Sequence, residues 1–211
     1  MPSETTRIEA FSDGVFAIAI TLLILEIKVP DAQHGHLAAA LMRQWPSYVA
    51  FLLSFFYIGI MWMNHHRMFS HIRRSTDTLL LLNLLLLLGV TVVPFPTAVL
   101  AAHMGTPEQK TAAAVYNATY VVIALFFNVL WRYAVNRQLM DKDTLASAVL
   151  ISRQYAVGPL VYLLCFGLVW VNVHVSLIVN IALALFFALP PSLMQARSPQ
   201  RDPTHDHRPV E

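Results

Sequence analysis

Six long apolar blocks, half the usual charge content, and basic residues gathered between alternate blocks predict an all-α membrane protein with six transmembrane helices per chain. Apolar residues make up 57% of the 211, against about 45–50% in ordinary globular chains. Charged residues make up 12%, against about 25%, and mean hydropathy is +0.58. That balance excludes a disordered chain, a collagen-like chain and a disulfide scaffold. It also argues against a soluble enzyme, because so few charges could not solvate a packed globule of this size. Net charge is only +2. The basic residues lie between apolar blocks and form no patch, so no nucleic-acid partner is expected. The single cysteine, Cys165, sits inside an apolar block; it permits neither an intrachain disulfide nor a cysteine metal cluster. The first dozen residues carry Glu4, Arg7 and Glu9, and no Ala-x-Ala-like site follows, so no cleaved leader is expected.

A spanning helix needs about 20 apolar residues to cross about 30 Å of hydrocarbon. The blocks run over residues 14–29, 48–63, 79–102, 112–133, 155–171 and 173–193. Pro30 and Asp31 close the first, Pro46 opens the second, and HHRMFSHIRRSTD separates the second from the third. The third contains LLLLNLLLLLGVTVV, and Thr106, Pro107 and Glu108 separate it from the fourth. The polar stretch between blocks four and five has room for a surface helix. The turn at Asn172 is so short that blocks five and six must form a hairpin, and Pro190 and Pro191 end the sixth. Strands are excluded, since barrel strands alternate over about ten residues. Residues 1–194 are expected to form one six-helix unit, and the polar, proline-rich residues 195–211 a disordered cytoplasmic tail.

Orientation follows from the lysines and arginines. With the N-terminus inside, the inner segments hold Arg7, Arg67, Arg73, Arg74, Arg132, Arg137, Lys142, Arg153, Arg197, Arg201 and Arg208. The outer segments hold Lys28, Arg43 and Lys110, which completes the fourteen. Such a bias places both termini in the cytoplasm.

Lipid cannot satisfy polar groups, so those inside spanning segments face protein or a water-filled path. Asp13 or Ser12 could cap the first helix. From residue 14 to 29, however, is about 24 Å at 1.5 Å per residue, which is short. A helix that starts near residues 3–6 would enclose Asp13, which would then need Arg7, His65 or Asn83 as a partner. Ile18, Leu22 and Leu25 share one stripe, with Thr21 beside it. Periodicity alone reads that stripe as core packing or lipid surface. His65, His66 and His71 match no zinc spacing and no metal is expected; a histidine at the inner end of helix two is read as a hydrogen-bond partner, or a pH-sensitive one. Asn83, flanked by leucines, should bond to another helix. Glu26 and Lys28 belong near the outer interface, and Trp45, Trp131 and Trp170 read as interfacial anchors. No nucleophile elbow, phosphate loop, dinucleotide fingerprint or HExxH helix is present, so no enzyme chemistry is expected.

Arg7-x-x-x-Phe11-Ser12-Asp13, followed by Thr21-Leu22-Leu23 and Leu25-Glu26, resembles the signature of the transmembrane protein 175 family, the lysosomal potassium channel and its prokaryotic relatives. Trp62-x-x-His65-x-Arg67-x-Phe69 and Asn83 with Pro94 extend the likeness over blocks one to three. Blocks four to six match it in hydropathy. The resemblance implies a six-helix unit without the TVGYG filter, which this sequence also lacks, and a homotetramer whose first helices line a central pore. Ile18, Leu22 and Leu25 fall on the family's hydrophobic constrictions and Thr21 on a threonine layer. Arg7, Phe11, Ser12, Asp13, Trp62, His65 and Asn83 would brace helix one. The implied protein is a potassium-permeable channel of a prokaryotic cell membrane, with monovalent cations as permeant species, lipid around it and no cofactor. A proton-permeable or weakly selective cation channel, a secondary transporter and a non-conducting scaffold are the alternatives. No internal repeat of the transporter kind is clear, although Gly89, Pro94 and Pro96 could bend helix three.

Overall fold

The computed structural model describes residues 5–31, 36–140 and 142–188. The expected tail at 195–211 lies outside them. Helix α1, Thr6–Leu22, continues as a tighter 3-10 turn, Leu23–Glu26. A short α2, Leu37–Arg43, precedes the long α3, Trp45–His71. Next come α4, Asp77–Val92, and α5, Pro94–His103. The set ends with α6, Gln109–Asn136, α7, Lys142–Leu168, and α8, Val173–Ala188.

Among the described residues, four stretches are long and apolar enough to cross a membrane: Thr6–Glu26, Trp45–His71, Asp77–His103 and Gln109–Asn136. The last two helices hold shorter apolar stretches, Tyr155–Leu168 and Val173–Leu183.

Three boundaries differ from the sequence reading. Helix α1 starts at Thr6, so Ser12 and Asp13 lie within it and cap nothing. The added turns bring α1 and its 3-10 extension to roughly 33 Å. Helix α3 runs two turns past its apolar block, to His71, because HHRMFSH contains no glycine or proline to stop it. The polar stretch before block five forms no separate surface helix; from Lys142 it is the first half of α7.

Prolines mark the two irregular helices. Pro94 and Pro96 carry no N–H, and the third block breaks into α4 and α5 at Val93. Pro159 lies inside α7 and cannot donate to the carbonyl of Tyr155 four residues back. Asn128 Nδ2 of α6 donates to that carbonyl instead, at 2.7 Å. Helices α4 and α6 approach closely at Gly89, where a Cβ would lie 2.9 Å from Ile123 Cγ1. The α7–α8 hairpin forms as expected, with Asn172 Oδ1 accepting from the backbone N–H groups of His174 and Val175.

Helices α3 and α6 form the centre of the bundle, with α5, α7 and α8 against them. Uncharged polar groups stitch that centre together. Ser54 Oγ lies 2.7 Å from Thr97 Oγ1 and 3.1 Å from the Tyr116 hydroxyl. Asn180 Nδ2 donates to Asn117 Oδ1, and the Tyr57 hydroxyl donates to Asn180. Trp131 is buried and donates to Ser152 Oγ at 2.9 Å. It is therefore no interfacial anchor, whereas Trp45 and Trp170 are exposed.

Candidate functional site

Helix α1 stands at the edge of the bundle, packed chiefly on α3 and α4. Its buried residues, Ile8, Ser12, Phe16 and Ala19, recur every three or four positions, and Leu23 extends the row. That spacing is one stripe of a helix. Ile18, Leu22 and Leu25 lie on the opposite side and are 60%, 43% and 60% exposed. Leu25 belongs to the 3-10 turn, where residues three apart eclipse one another, so it stays in line with Leu22. From Ile18 to Leu25 is then roughly 12 Å of axial length. Thr21 is exposed beside the row, and its hydroxyl bonds back to the carbonyls of Ala17 and Ile18, both at 2.9 Å. It presents no free donor to a passing ion, only the oxygen's acceptor side.

The buried stripe carries a hydrogen-bonded chain across three helices. Ser12 Oγ donates to the Ile8 carbonyl at 2.8 Å. Asn83 Nδ2 of α4 donates to Ser12 Oγ at 3.0 Å. Asn83 Oδ1 faces His65 Nε2 of α3 at 2.9 Å. Ser12, His65 and Asn83 are 0%, 1% and 2% exposed. The polarity of this chain is set at its first link. A carbonyl only accepts, so Ser12 spends its hydrogen there and can only accept from Asn83. The amide thereby turns its oxygen to the histidine, and His65 Nε2 carries the proton of the last link. The ring of His65 is held between Phe69, stacked with centroids 4.4 Å apart, and Phe16, at 5.4 Å.

Asp13 does not pair with Arg7, His65 or Asn83. Its Oδ1 accepts from Trp62 Nε1 at 2.8 Å, on the exposed side of α1 and α3. Trp62 stacks in turn on His66. A groove of about 390 Å³ runs beside this pair, lined by Asp13, Phe16, Ala17, Ile20, Gly59 and Trp62. Phe11 and Arg7 are exposed and do not join the Ser12 chain; seven and eleven residues before Ile18, they continue its outward row. Lys28 Nζ bonds the Leu25 carbonyl at 2.8 Å rather than reaching Glu26. The sequence reading missed the central stitch of Ser54, Thr97, Tyr116, Asn117 and Asn180; polar residues inside apolar blocks were the available signal.

A sequence model described as "Endosomal/lysosomal potassium channel TMEM175" matches residues 7–94. A protein of Chamaesiphon minutus named a potassium channel is 48% identical over 192 residues, covering 89% of this chain and 95% of that one. This chain belongs to the TMEM175 family. A crystal structure titled as a lysosomal potassium-selective channel TMEM175 homolog, also from Chamaesiphon minutus, superposes with a TM-score of 0.80. The two are 45% identical, over 92% of this chain and 99% of the other. The family extends to animals: the endosomal/lysosomal proton channel TMEM175 of Bos taurus is 36% identical over 154 residues, 68% of this chain but 32% of that much longer protein. The family matches are ion channels and not enzymes. With its apolar helices, the chain is a multi-pass membrane protein.

Proposed function

We propose that the chain is one subunit of a potassium-permeable cation channel, a homotetramer with α1 around a central axis. The observation that carries this reading is the division of α1 into two faces. One face is fixed to α3 and α4 by packing and the Ser12–Asn83–His65 chain. The other leaves Ile18, Leu22 and Leu25 exposed among the described residues. An edge helix held on one side and apolar on the other is suited to face copies of itself. In a tetramer each position becomes a ring of four aliphatic side chains. Such rings are poorly hydrated and gate by dewetting, since expelling water raises the barrier to ions.

In this reading all six apolar blocks span the cell membrane of a prokaryote, the termini are cytoplasmic, and potassium passes without a cofactor. Ser12, Asp13, Trp62, His65 and Asn83 hold the angle of α1, and Arg7 and Phe11 extend the pore face toward the cytoplasm. With no TVGYG carbonyl filter and no acidic ring on the row, selectivity for potassium over sodium is modest. The relatives named potassium channels support this permeant ion. The animal relatives, named proton channels, favour a second reading, proton permeation through the same pore. Reversal potentials in liposomes under potassium, sodium and pH gradients test both. A reversal that follows the potassium gradient supports the first, one that follows pH supports the second, and absence of unitary current steps refutes both.

A further inference from the structure

The ends of α3 and α6 and the start of α4 meet at a corner, where the Thr5 hydroxyl before α1 also donates to the Ile72 carbonyl, at 3.3 Å. Two loops are locked together there. Ile72 and Met140 form an antiparallel bridge, and the backbone N–H groups of Arg73 and Arg74 both donate to the Leu139 carbonyl, at 2.9 and 3.2 Å. Arg74 Nη2 donates to the Gln138 carbonyl at 2.5 Å, the residue after Arg137. The Arg137 guanidinium lies over the Tyr133 ring, 5.9 Å from its centroid. The Tyr133 hydroxyl is 3.1 Å from Thr76 Oγ1. Ile72, Leu139 and Met140 are buried and anchor both loops in the core. Arg74 and Arg137 are therefore exposed cations on a rigid frame, beside two hydroxyls, and binding an anion there requires little further ordering.

Position and surroundings narrow the anion. The corner lies where two candidate spans begin and end, at Asp77 and Asn136. Aliphatic rows lead away from the hydroxyl pair along both helices. From Thr76, Leu80, Leu84 and Leu88 follow at four-residue steps on α4; from Tyr133, Val129 and Leu125 follow on α6, and all five are exposed. A guanidinium pair at the head of an exposed apolar face matches a phosphate that carries acyl chains. Asp77, exposed in the first turn of α4, and Glu9, whose Oε1 lies 3.1 Å from Thr5 Oγ1, are acidic side chains described near the corner, and Arg73, Arg74 and Arg137 outnumber them.

We propose that this corner binds the phosphate headgroup of an anionic phospholipid, held by Arg74 and Arg137, with its chains along α4 and α6. This rests on the membrane-spanning character of the chain and not on the pore reading.

The test uses the full chain, delipidated in detergent and exposed to equal amounts of phosphatidylglycerol and phosphatidylcholine. Native mass spectrometry counts the bound lipids. The wild type should retain phosphatidylglycerol preferentially, and Arg74→Gln with Arg137→Gln should lower that preference by about fivefold per arginine. Arg43→Gln, on the opposite side, should leave it unchanged. If the double variant does not fold, Arg137→Gln alone, which keeps the Arg74 bond to Gln138, should still cost about fivefold. Equal preference in wild type and variant overturns the site. Displacement of the lipid by equimolar glycerol phosphate overturns the assignment to a lipid.

Discussion

Asn83→Leu removes the middle link of the Ser12–Asn83–His65 chain, and the structure says where the cost falls. Ser12 keeps its bond to the Ile8 carbonyl, so no donor is orphaned on α1. His65 loses the acceptor of its buried Nε2–H. A buried donor left unsatisfied costs about 1–3 kcal/mol, and each interhelical bond in a membrane contributes about 0.6 kcal/mol. The variant should therefore be destabilised by about 2–3 kcal/mol, most of it at the histidine. His65→Leu on its own loses the bond to Asn83 and the ring contacts to Phe16 and Phe69. The double variant has no histidine to orphan, so its loss should fall short of the sum by about 1–2 kcal/mol. The ring contacts appear in both arms of the cycle and cancel. Equilibrium unfolding of the full chain in bicelles, by circular dichroism, measures all three. Additivity within about 0.5 kcal/mol would mean that the two side chains do not act on each other.

Four other outcomes are expected. Trp62→Phe removes the donor to an exposed carboxylate and should cost under about 1 kcal/mol, less than Asn83→Leu, in the same unfolding assay. Gly89→Ala places a Cβ 2.9 Å from Ile123 Cγ1 and should cost about 1–3 kcal/mol, but clearly less in an Ile123→Ala background, which lacks Cγ1; an equal cost in that background would locate the strain elsewhere. Asn128→Ala leaves the Tyr155 carbonyl unpaired and should cost about 1 kcal/mol, but little when Pro159→Ala restores the helical N–H. Asn180→Leu breaks the join between α6, α3 and α8 and should lower thermal stability more than Thr119→Leu, a half-buried position on α6 whose hydroxyl bonds a carbonyl of its own helix.

The sequence carried the apolar blocks, the short turn at Asn172 and the stripe on α1, because each is a local pattern along one element. That Asn83 bonds to another helix was also legible, since a lone amide among leucines must find a partner, whereas Ser12 as that partner on α1 was not, the expected pair being Asp13 and Asn83. What it could not carry was which helices face each other at a given height. Asp13 meets Trp62 and not a histidine because α3 presents the Trp62 indole on the exposed side of α1 and turns the His65 ring into the core. Trp131 looked like an anchor from its place near a block end, yet α7 covers it. The exchange of Pro159's lost bond for Asn128 needs two helices at once, 31 positions apart. Rotation and tilt of whole helices decide such pairs, and a single sequence does not encode them in any local spacing.

The pore role of the exposed α1 row is tested most directly by single-channel recording of Ile18→Asn, with Ile20→Asn, on the groove side, as control. In a ring of four, the amides of Ile18→Asn should wet the constriction, raise unitary conductance severalfold and narrow the difference between potassium and sodium. Ile20→Asn should change stability or yield but leave conductance as in the wild type. An Ile18→Asn protein that assembles normally and conducts with unchanged conductance and selectivity contradicts the account.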